Sequence, residues 1–136
     1  MIGGVEGLVL PGSDDPAGLY PIGTAGRGQR YFMYKAFLAV AASAAPYATV
    51  SVTRPASARL VYAAPSRIGA LFSSRSGRGL LSASRSTIRL PVCGPRYTGF
   101  TGGVLVTGPG CVTFEVSSLA ARAATVTVPI GPASCG

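Results

Sequence analysis

Residues 93–116, CGPRYTGFTGGVLVTGPGCVTFEV, decide the fold class of this chain. Two short runs, GGVLVT at 102–107 and CVTFEV at 111–116, are rich in valine and are separated by a Gly-Pro-Gly turn. Apolar, β-branched runs that glycine and proline interrupt are typical of short strands joined by tight turns. The stretch therefore predicts consecutive strands, with Cys93 at the end of the strand before it and Cys111 at the start of its last strand.

The same strand signal repeats on both sides of this stretch. In ATVSVTR (48–54), Val50 and Val52 alternate with serine and threonine, which is the period-two pattern of a half-buried strand. The other runs of this kind are RYFMYKAFLAV (30–40), ARLVYA (58–63), RIGALF (67–72), STIRLPV (86–92) and ATVTVPI (124–130). Short strands at spacings of about 8 to 18 residues are typical of sandwiches and barrels. We predict an all-β fold, a single antiparallel β-sandwich of the immunoglobulin-like or jelly-roll-like kind.

The two ends of the chain differ in composition. Residues 1–30 are rich in glycine and turn-forming residues, with one short apolar run, VEGLVL, at 5–10. We expect an irregular, glycine-rich N-terminal segment over 1–30, with an edge strand at that run, followed by the β-sandwich domain over 31–136. The polar stretch SSRSGRGLLSASRS at 73–86 is interpreted as a flexible connection between strands.

The chain is strongly basic, with a formal net charge of +8 from twelve Lys and Arg against four Asp and Glu. Arginines alternate with serine and glycine in the polar stretch, and such a loop can surround a phosphate or sulfate with guanidinium and backbone N–H donors. The candidate anion-binding residues are Arg75, Arg78, Arg85 and Arg89. The partner implied is an anionic cell-envelope polymer or a phosphate-containing ligand, and no specific nucleic acid is expected. The alternative is that this stretch is only a solvated loop and that the arginine-rich surface keeps the protein dispersed in solution.

Few catalytic arrangements are open to this chain. Because it has no histidine, it cannot form a Ser-His-Asp or Cys-His arrangement. Its acids are Glu6, Asp14, Asp15 and Glu115, and the adjacent pair in SDDPAG is typical of a turn, not of two facing carboxylates. We expect a non-enzymatic protein with no catalytic residue and no cofactor. The enzyme alternative would depend on these acids or on the Cys135 thiol.

The three cysteines favour a disulfide over a metal site. Without histidine they fall one ligand short of a structural zinc tetrahedron, and the chain has no Cys-x-x-Cys. We predict a disulfide between Cys93 and Cys111, and two buried free thiols are the alternative. Cys135 is then free, pairs with a partner chain, or replaces one of the two in the bridge.

Residues 33–45 admit two interpretations. Basic residues precede a weak apolar run there, and the small residues at 42–45 offer a cleavage site, as in a secretory signal. The alternative is an ordinary buried strand or short helix. No run reaches the ~18 residues that a membrane-spanning helix needs, so no transmembrane segment is expected.

The segment LPVCGPRYTGFTGGVLVTGPGCVTFEV, with KAFLAV and ATVSVTRPASARLVYA before it and VPIGPASCG after it, resembles a family of extracytoplasmic proteins from high-GC actinobacteria. The resemblance covers residues 35–136. It implies a secreted or membrane-anchored β-sandwich-like domain without an assigned activity, in which Cys93, Gly102, Gly103 and Cys111 are scaffold positions. We therefore expect an extracytoplasmic structural or interaction module of the cell envelope.

Overall fold

The computed structural model describes residues 8–9, 19–25, 28–36, 38–63, 78–119, 123–130 and 135. Within these residues the chain forms ten strands, one short 3₁₀ turn at Ala42–Ala44 and one α-helix, α1, at Arg78–Ala83. The strands are β1 (Leu8–Val9), β2 (Leu19–Ala25), β3 (Gln29–Lys35), β4 (Leu38–Ala41), β5 (Tyr47–Arg54), β6 (Arg59–Ala63), β7 (Thr87–Pro91), β8 (Tyr97–Val106), β9 (Gly110–Ser118) and β10 (Ala124–Ile130).

The strands form two antiparallel sheets. In the six-stranded sheet, β3 and β4 follow one another along one edge of β8, and β6 pairs with its other edge. β2 and β1 pair with β3 and β4 in turn. The four-stranded sheet has the order β10-β9-β5-β7. The two antiparallel sheets confirm the predicted all-β, sandwich-like fold.

The main core is built from the inner faces of both sheets. Along β9, Val112, Phe114 and Val116 are buried, and the residues between them are half-buried or exposed, as period-two alternation requires. The other buried members are Tyr34, Ala36, Leu38, Val40, Ala44, Ala48, Val50, Ala58, Leu60, Leu90, Phe100, Val104, Val106 and Ile130. Interdigitation of these side chains is what holds the two sheets together.

A second apolar cluster covers the other face of the six-stranded sheet. Tyr31, Met33, Val61 and Leu105 pack there against Leu80 of α1. The flexible connection predicted over 73–86 is therefore wrong at Arg78–Ala83, which form a helix. A six-residue helix is too short to be stable by propensity. It forms because Leu80 is buried on the sheet and the partly buried Leu81 packs against the same cluster.

The N-terminal segment differs from its prediction. β1 at Leu8–Val9 agrees with the expected edge strand, but Leu19–Ala25 also form a strand, where an irregular segment was expected. Pro21 and Gly23 weaken the strand signal in the sequence, and proline is tolerated here because β2 lies outside β3, with a register shift between these two residues. The division at residue 30 stays a prediction, and the strand predicted at 67–72 lies outside the described residues.

Residues 33–45 form structural strands. They include the end of β3, all of β4 and the 3₁₀ turn, and Leu38 and Val40 are buried in the core. This placement confirms the buried-strand interpretation of the apolar run. Cleavage near 42–45 would remove both strands that pair with one edge of β8, so these residues cannot be a cleaved signal in a chain with this fold.

Two consecutive glycines let β8 lie between its neighbours. Gly102 has a φ of +156°, and a Cβ built there would overlap the carbonyl oxygen of Val61 in β6. A Cβ on Gly103 would overlap the carbonyl oxygen of Tyr34 in β3 and the Met33 side chain. The backbones on both edges of β8 therefore approach too closely for any other residue type.

We expect Gly102→Ala to lower the free energy of unfolding by about 1–3 kcal/mol, because the new methyl group displaces the β6 backbone. Gly108→Ala is the matched control, since a Cβ there meets nothing within 4 Å. Its effect should stay below about 1 kcal/mol. Urea unfolding of the two variants measures the difference, and equal stabilities would contradict the close approach of β6 and β8.

One tyrosine hydroxyl is buried without a partner. Tyr62 lies on β6 opposite Gly102, and its hydroxyl has no hydrogen-bond partner in the described part of the structure. Burial raises the pKa of Tyr62, and the electrostatic interaction with the neighbouring Tyr34 raises it further. The folded chain therefore keeps this proton at a pH where the unfolded chain loses it.

The stability contributed by the protonated Tyr62 is present below pH ~10 and is lost as the pH rises above that value, by about 1.4 kcal/mol per pH unit. Tyr62→Phe should remove this part of the alkaline slope and should not destabilise the protein at pH 7, because it deletes an unpaired hydroxyl. Urea unfolding at several pH values between 7 and 12 measures both effects. Tyr97→Phe, at a ring that is 58% exposed, is the control and should keep the wild-type slope.

Candidate functional site

The C-terminal end of α1 brings two arginines together. Arg59 begins β6, and Arg85 follows the helix and pairs with β6 through Leu60. The bond from the Arg85 N–H to the Leu60 carbonyl is 2.9 Å, and the bond from the Leu60 N–H to the Arg85 carbonyl is 2.7 Å. This backbone bridge places Arg59 and Arg85 side by side, although they are distant in sequence.

Both guanidinium groups bind Ser84. Arg59 donates from Nε to Ser84 Oγ at 2.7 Å and from Nη2 to the Ser84 carbonyl oxygen at 2.9 Å. Arg85 donates from Nη1 to the same carbonyl at 2.8 Å and to the Ser82 carbonyl at 3.0 Å. Ser84 is only 1% exposed, and its hydroxyl donates to the Leu81 carbonyl at 2.6 Å. Ser84 is thus a buried polar residue whose hydrogen bonds fix both arginines.

The charge of this Arg59–Arg85 pair is only partly balanced. Carbonyl oxygens at the end of a helix carry partial negative charge and attract a cation. Two full positive charges share these carbonyls, and neither guanidinium contacts a carboxylate among the described residues. Arg59 is half-buried and Arg85 is exposed, so the pair can be reached from solvent. The arrangement is suited to an anion.

The predicted anion-binding residues are not brought together as a set. Arg85 belongs to the pair, but Arg89 lies on β7 with its guanidinium 4.2 Å from the ring centre of Tyr47, a cation–π contact. Arg75 lies outside the described residues, and only the backbone of Arg78, the first residue of α1, is described. Arg59 was not predicted. Its role depends on the pairing of β6 with residue 85, for which the sequence has no local signal.

The outer face of the four-stranded sheet is the second polar surface. It carries the hydroxyls of Thr49, Ser51, Thr53, Thr87, Thr113, Ser117, Thr125 and Thr127, on strand positions that alternate with the core. Two cross-strand hydroxyl pairs, Ser51 with Thr87 and Thr113 with Thr127, are each 2.9 Å apart. Threonine favours exposed strand positions, which is a sufficient reason for this pattern.

The acidic residues of the enzyme alternative are only partly described. Glu115 is exposed on β9, in register with Ser51 and Thr125 on that outer face. Glu6, Asp14 and Asp15 lie outside the described residues. The expectation that the protein is not an enzyme therefore stays a prediction.

The other described features of the molecule are less suited to hold a ligand. A pocket of about 170 Å³ lies beside the β8–β9 turn, between Pro55 and the chain from Val106 to Val112. Small-molecule sites are usually roughly 300–1,000 Å³. In the described ranges no group of three His, Cys, Asp or Glu residues is placed to hold a metal ion. No described helix has the length and apolar character to cross a membrane.

The predicted Cys93–Cys111 disulfide is wrong. Cys111 pairs with Cys135, at a Cα–Cα distance of 5.8 Å, and Cys93 is exposed and free. The interpretation in which Cys135 replaces one cysteine of the bridge is the one the structure confirms.

Sheet topology explains the pairing. β7 and β9 both lie antiparallel to β5, so they run in the same direction. Cys93 follows the end of β7 and Cys111 lies at the start of β9, so they are near opposite ends of the sheet, farther apart than the roughly 23 Å that β5 spans between them. β10 returns antiparallel to β9, and Ile130 lies opposite Gly110. The chain therefore leaves β10 next to Cys111, where Cys135 can reach it.

We expect Cys135→Ser, made in a Cys93→Ser background to prevent exchange, to lower the free energy of unfolding by about 3 kcal/mol. The reason is that the bridge closes a loop with a sequence separation of 24 residues. Cys93→Ser alone is the control and should change stability by less than about 0.5 kcal/mol, because the side chain is exposed. Urea unfolding compares them, and the reverse order of effects would show that the bridge involves Cys93.

Comparison with known proteins adds no relative to this description. The chain matches no protein-family model, no curated protein and no solved structure. The resemblance to actinobacterial extracytoplasmic proteins therefore stays a prediction.

Proposed function

We propose that this protein is a non-enzymatic β-sandwich domain that works outside the cytoplasm, as a structural or interaction module of the cell envelope. The observation that carries the proposal is the Cys111–Cys135 disulfide. Disulfides that join two parts of a fold persist in oxidising compartments and are rare where glutathione and thioredoxin keep thiols reduced. Because this bridge joins β9 to the chain that follows β10, it is a structural disulfide.

The chemistry of the chain supports the non-enzymatic part of the proposal. There is no histidine in the sequence to act as a base near neutral pH. Glu115 lies among hydroxyl-bearing strand residues on a sheet face, a setting that suits an interaction surface. Together with the disulfide, these features favour a stable binding or structural scaffold.

Anion binding is the second candidate function, and the Arg59–Arg85 pair favours it. Two guanidiniums share one carbonyl, with no carboxylate partner among the described residues, and form a local excess of positive charge in a chain whose formal net charge is already +8. An extracytoplasmic basic domain would meet anionic envelope polymers and phosphate-containing ligands. This candidate is compatible with the first, because a scaffold can present such a site.

The intact mass of the protein from its native host tests the compartment. Thiols are blocked with an alkylating agent at the moment of lysis, before air can oxidise them. We expect one alkyl group per chain before reduction, at Cys93, and three after reduction, because Cys111 and Cys135 are bridged. We also expect residues 33–45 to be retained, since they form β3, β4 and the turn after them.

A host strain carrying Cys93→Ser is the control, and its chain should take up no alkyl group before reduction. A wild-type chain that takes up three groups before reduction would show that the disulfide does not form in the host, and the extracytoplasmic proposal would fail. A chain that begins near residue 43 would show that the apolar run is a cleaved signal and that the described fold is not that of the mature protein.

A further inference from the structure

The geometry points to a phosphate-binding site at the Arg59–Arg85 pair, and this inference rests on the proposed anion-binding function. The ligand class is a phosphate monoester or pyrophosphate group, which carries close to two negative charges at neutral pH. Two guanidiniums match a dianion in charge. A carboxylate or a phosphodiester has a single negative charge and would balance only one of the two positive charges.

The two arginines are close enough to share one anion. Arg59 Nη2 and Arg85 Nη1 donate to the same carbonyl oxygen, at 2.9 and 2.8 Å. Their nitrogens therefore lie within about 6 Å of one another, a separation at which neighbouring charges interact strongly. A tetrahedral phosphate that accepts bonds of about 2.8 Å from each guanidinium spans this distance.

Both arginines keep hydrogen-bond donors for a ligand. Each guanidinium has N–H donors on three nitrogens. Within the described part of the chain, Arg59 uses Nε and Nη2 and leaves Nη1, and Arg85 uses Nη1 and leaves Nε and Nη2. In the proposed site the phosphate accepts hydrogen bonds from these remaining donors, which belong to two adjacent guanidinium groups.

The pair is fixed before a ligand arrives. Arg59 is held by two bonds to Ser84, and the Ser84 hydroxyl is held by the Leu81 carbonyl. The Arg85 backbone is held by its bridge to Leu60, and its guanidinium is held by the carbonyls of Ser82 and Ser84. Long arginine side chains usually lose conformational freedom when they bind, and a side chain already fixed by the protein loses less. An anion that binds to this pair therefore costs less side-chain entropy than one that binds to unconstrained arginines.

Arg96 is the matched control for net charge. It is exposed, and no hydrogen bond of its side chain is present in the described structure. It precedes β8, whereas Arg59 pairs with Leu105 near the other end of that strand. Arg85→Gln and Arg96→Gln remove the same single charge, so any difference between them reports the site and not the overall charge.

Calorimetric titration of the full chain with pyrophosphate at low salt is the first measurement. We expect Arg85→Gln to weaken binding by about 10-fold or more, the usual effect of losing a charged hydrogen-bond partner. Arg96→Gln should change the affinity by less than about 2-fold. The variant with both Arg59→Lys and Arg85→Lys keeps the charge but loses the planar forks, and it should also bind weakly. Unfolding curves confirm that each variant is folded.

A second measurement identifies the source of the phosphate group. Soluble polyphosphate, whose chain ends resemble pyrophosphate, is compared with vesicles of phosphatidylglycerol, which present phosphodiesters, and with vesicles of phosphatidylcholine. Retention on polyphosphate that depends on Arg85 supports a soluble or polymeric phosphate ligand. Retention on phosphatidylglycerol that depends on Arg85 supports the site but identifies the ligand as a lipid phosphodiester. That result would overturn the proposal that the ligand is a dianionic phosphate group.

The outcomes separate the site from the function. If the wild-type chain binds pyrophosphate or polyphosphate and Arg85→Gln and Arg96→Gln weaken binding equally, the overall charge is responsible and the site is wrong, while anion binding stands. If the wild-type chain binds none of the probes at low salt, both the site and the proposed anion-binding function fail.

Discussion

The central constraint in this protein is the close approach of the β3 and β6 backbones to the backbone of β8, which lies between them. This strand pairs with β3 and β4 on one edge and with β6 on the other, and Val104 and Leu105 point to opposite faces that are both buried. Gly102 and Gly103 remove the side chains that would keep the neighbouring strands apart. Because one face of the sheet packs on the second sheet and the other on α1, a displaced β8 would disturb both apolar clusters. The two layers of the fold therefore depend on one strand and its glycines.

The same arrangement determines where chemistry can appear. Residues 84–86 cross from one sheet to the other, since Arg85 pairs with Leu60 of β6 and the Val52 N–H of β5 donates to the Ser86 carbonyl at 2.8 Å. A chain that changes sheets leaves its polar groups without a regular ladder. Ser84 and the two arginines supply hydrogen bonds at that point. The candidate site therefore also has a structural role. Its residues supply hydrogen bonds where the chain leaves α1 and crosses from one sheet to the other.

Local pattern predicts most of the described strands, β2 excepted, but not their partners. The alternation in ATVSVTR and ATVTVPI predicts β5 and β10 because one face of each is buried. The sequence does not show that β8 begins at Tyr97 or that it belongs to a different sheet from β9. The wrong disulfide follows from the expectation that the strands between Cys93 and Cys111 are neighbours. Antiparallel pairing of the two alternating runs that form β9 and β10 places Cys135 near Cys111, so the correct disulfide follows once this pairing is assumed. Helix α1 had no comparable signal, because six residues carry little periodicity and the leucines that stabilise it act through tertiary contacts.

The candidate site escapes sequence analysis for a similar reason. Arg59 and Arg85 are separated by residues that include a helix, and their meeting depends on one backbone bridge. The disulfide does not hold that bridge in place, because Cys111 and Cys135 lie on the β9–β10 side of the second sheet, whereas the crossing lies beside β7. β9 and β7 are two strands apart in the order of the sheet, and neighbouring strands lie about 4.8 Å apart, so roughly 10 Å of sheet separates the two features. The position of the Arg59–Arg85 pair therefore does not depend on the disulfide. The bridge stabilises the edge strand β10, and the arginine pair depends on the packing of β6, α1 and the start of β7.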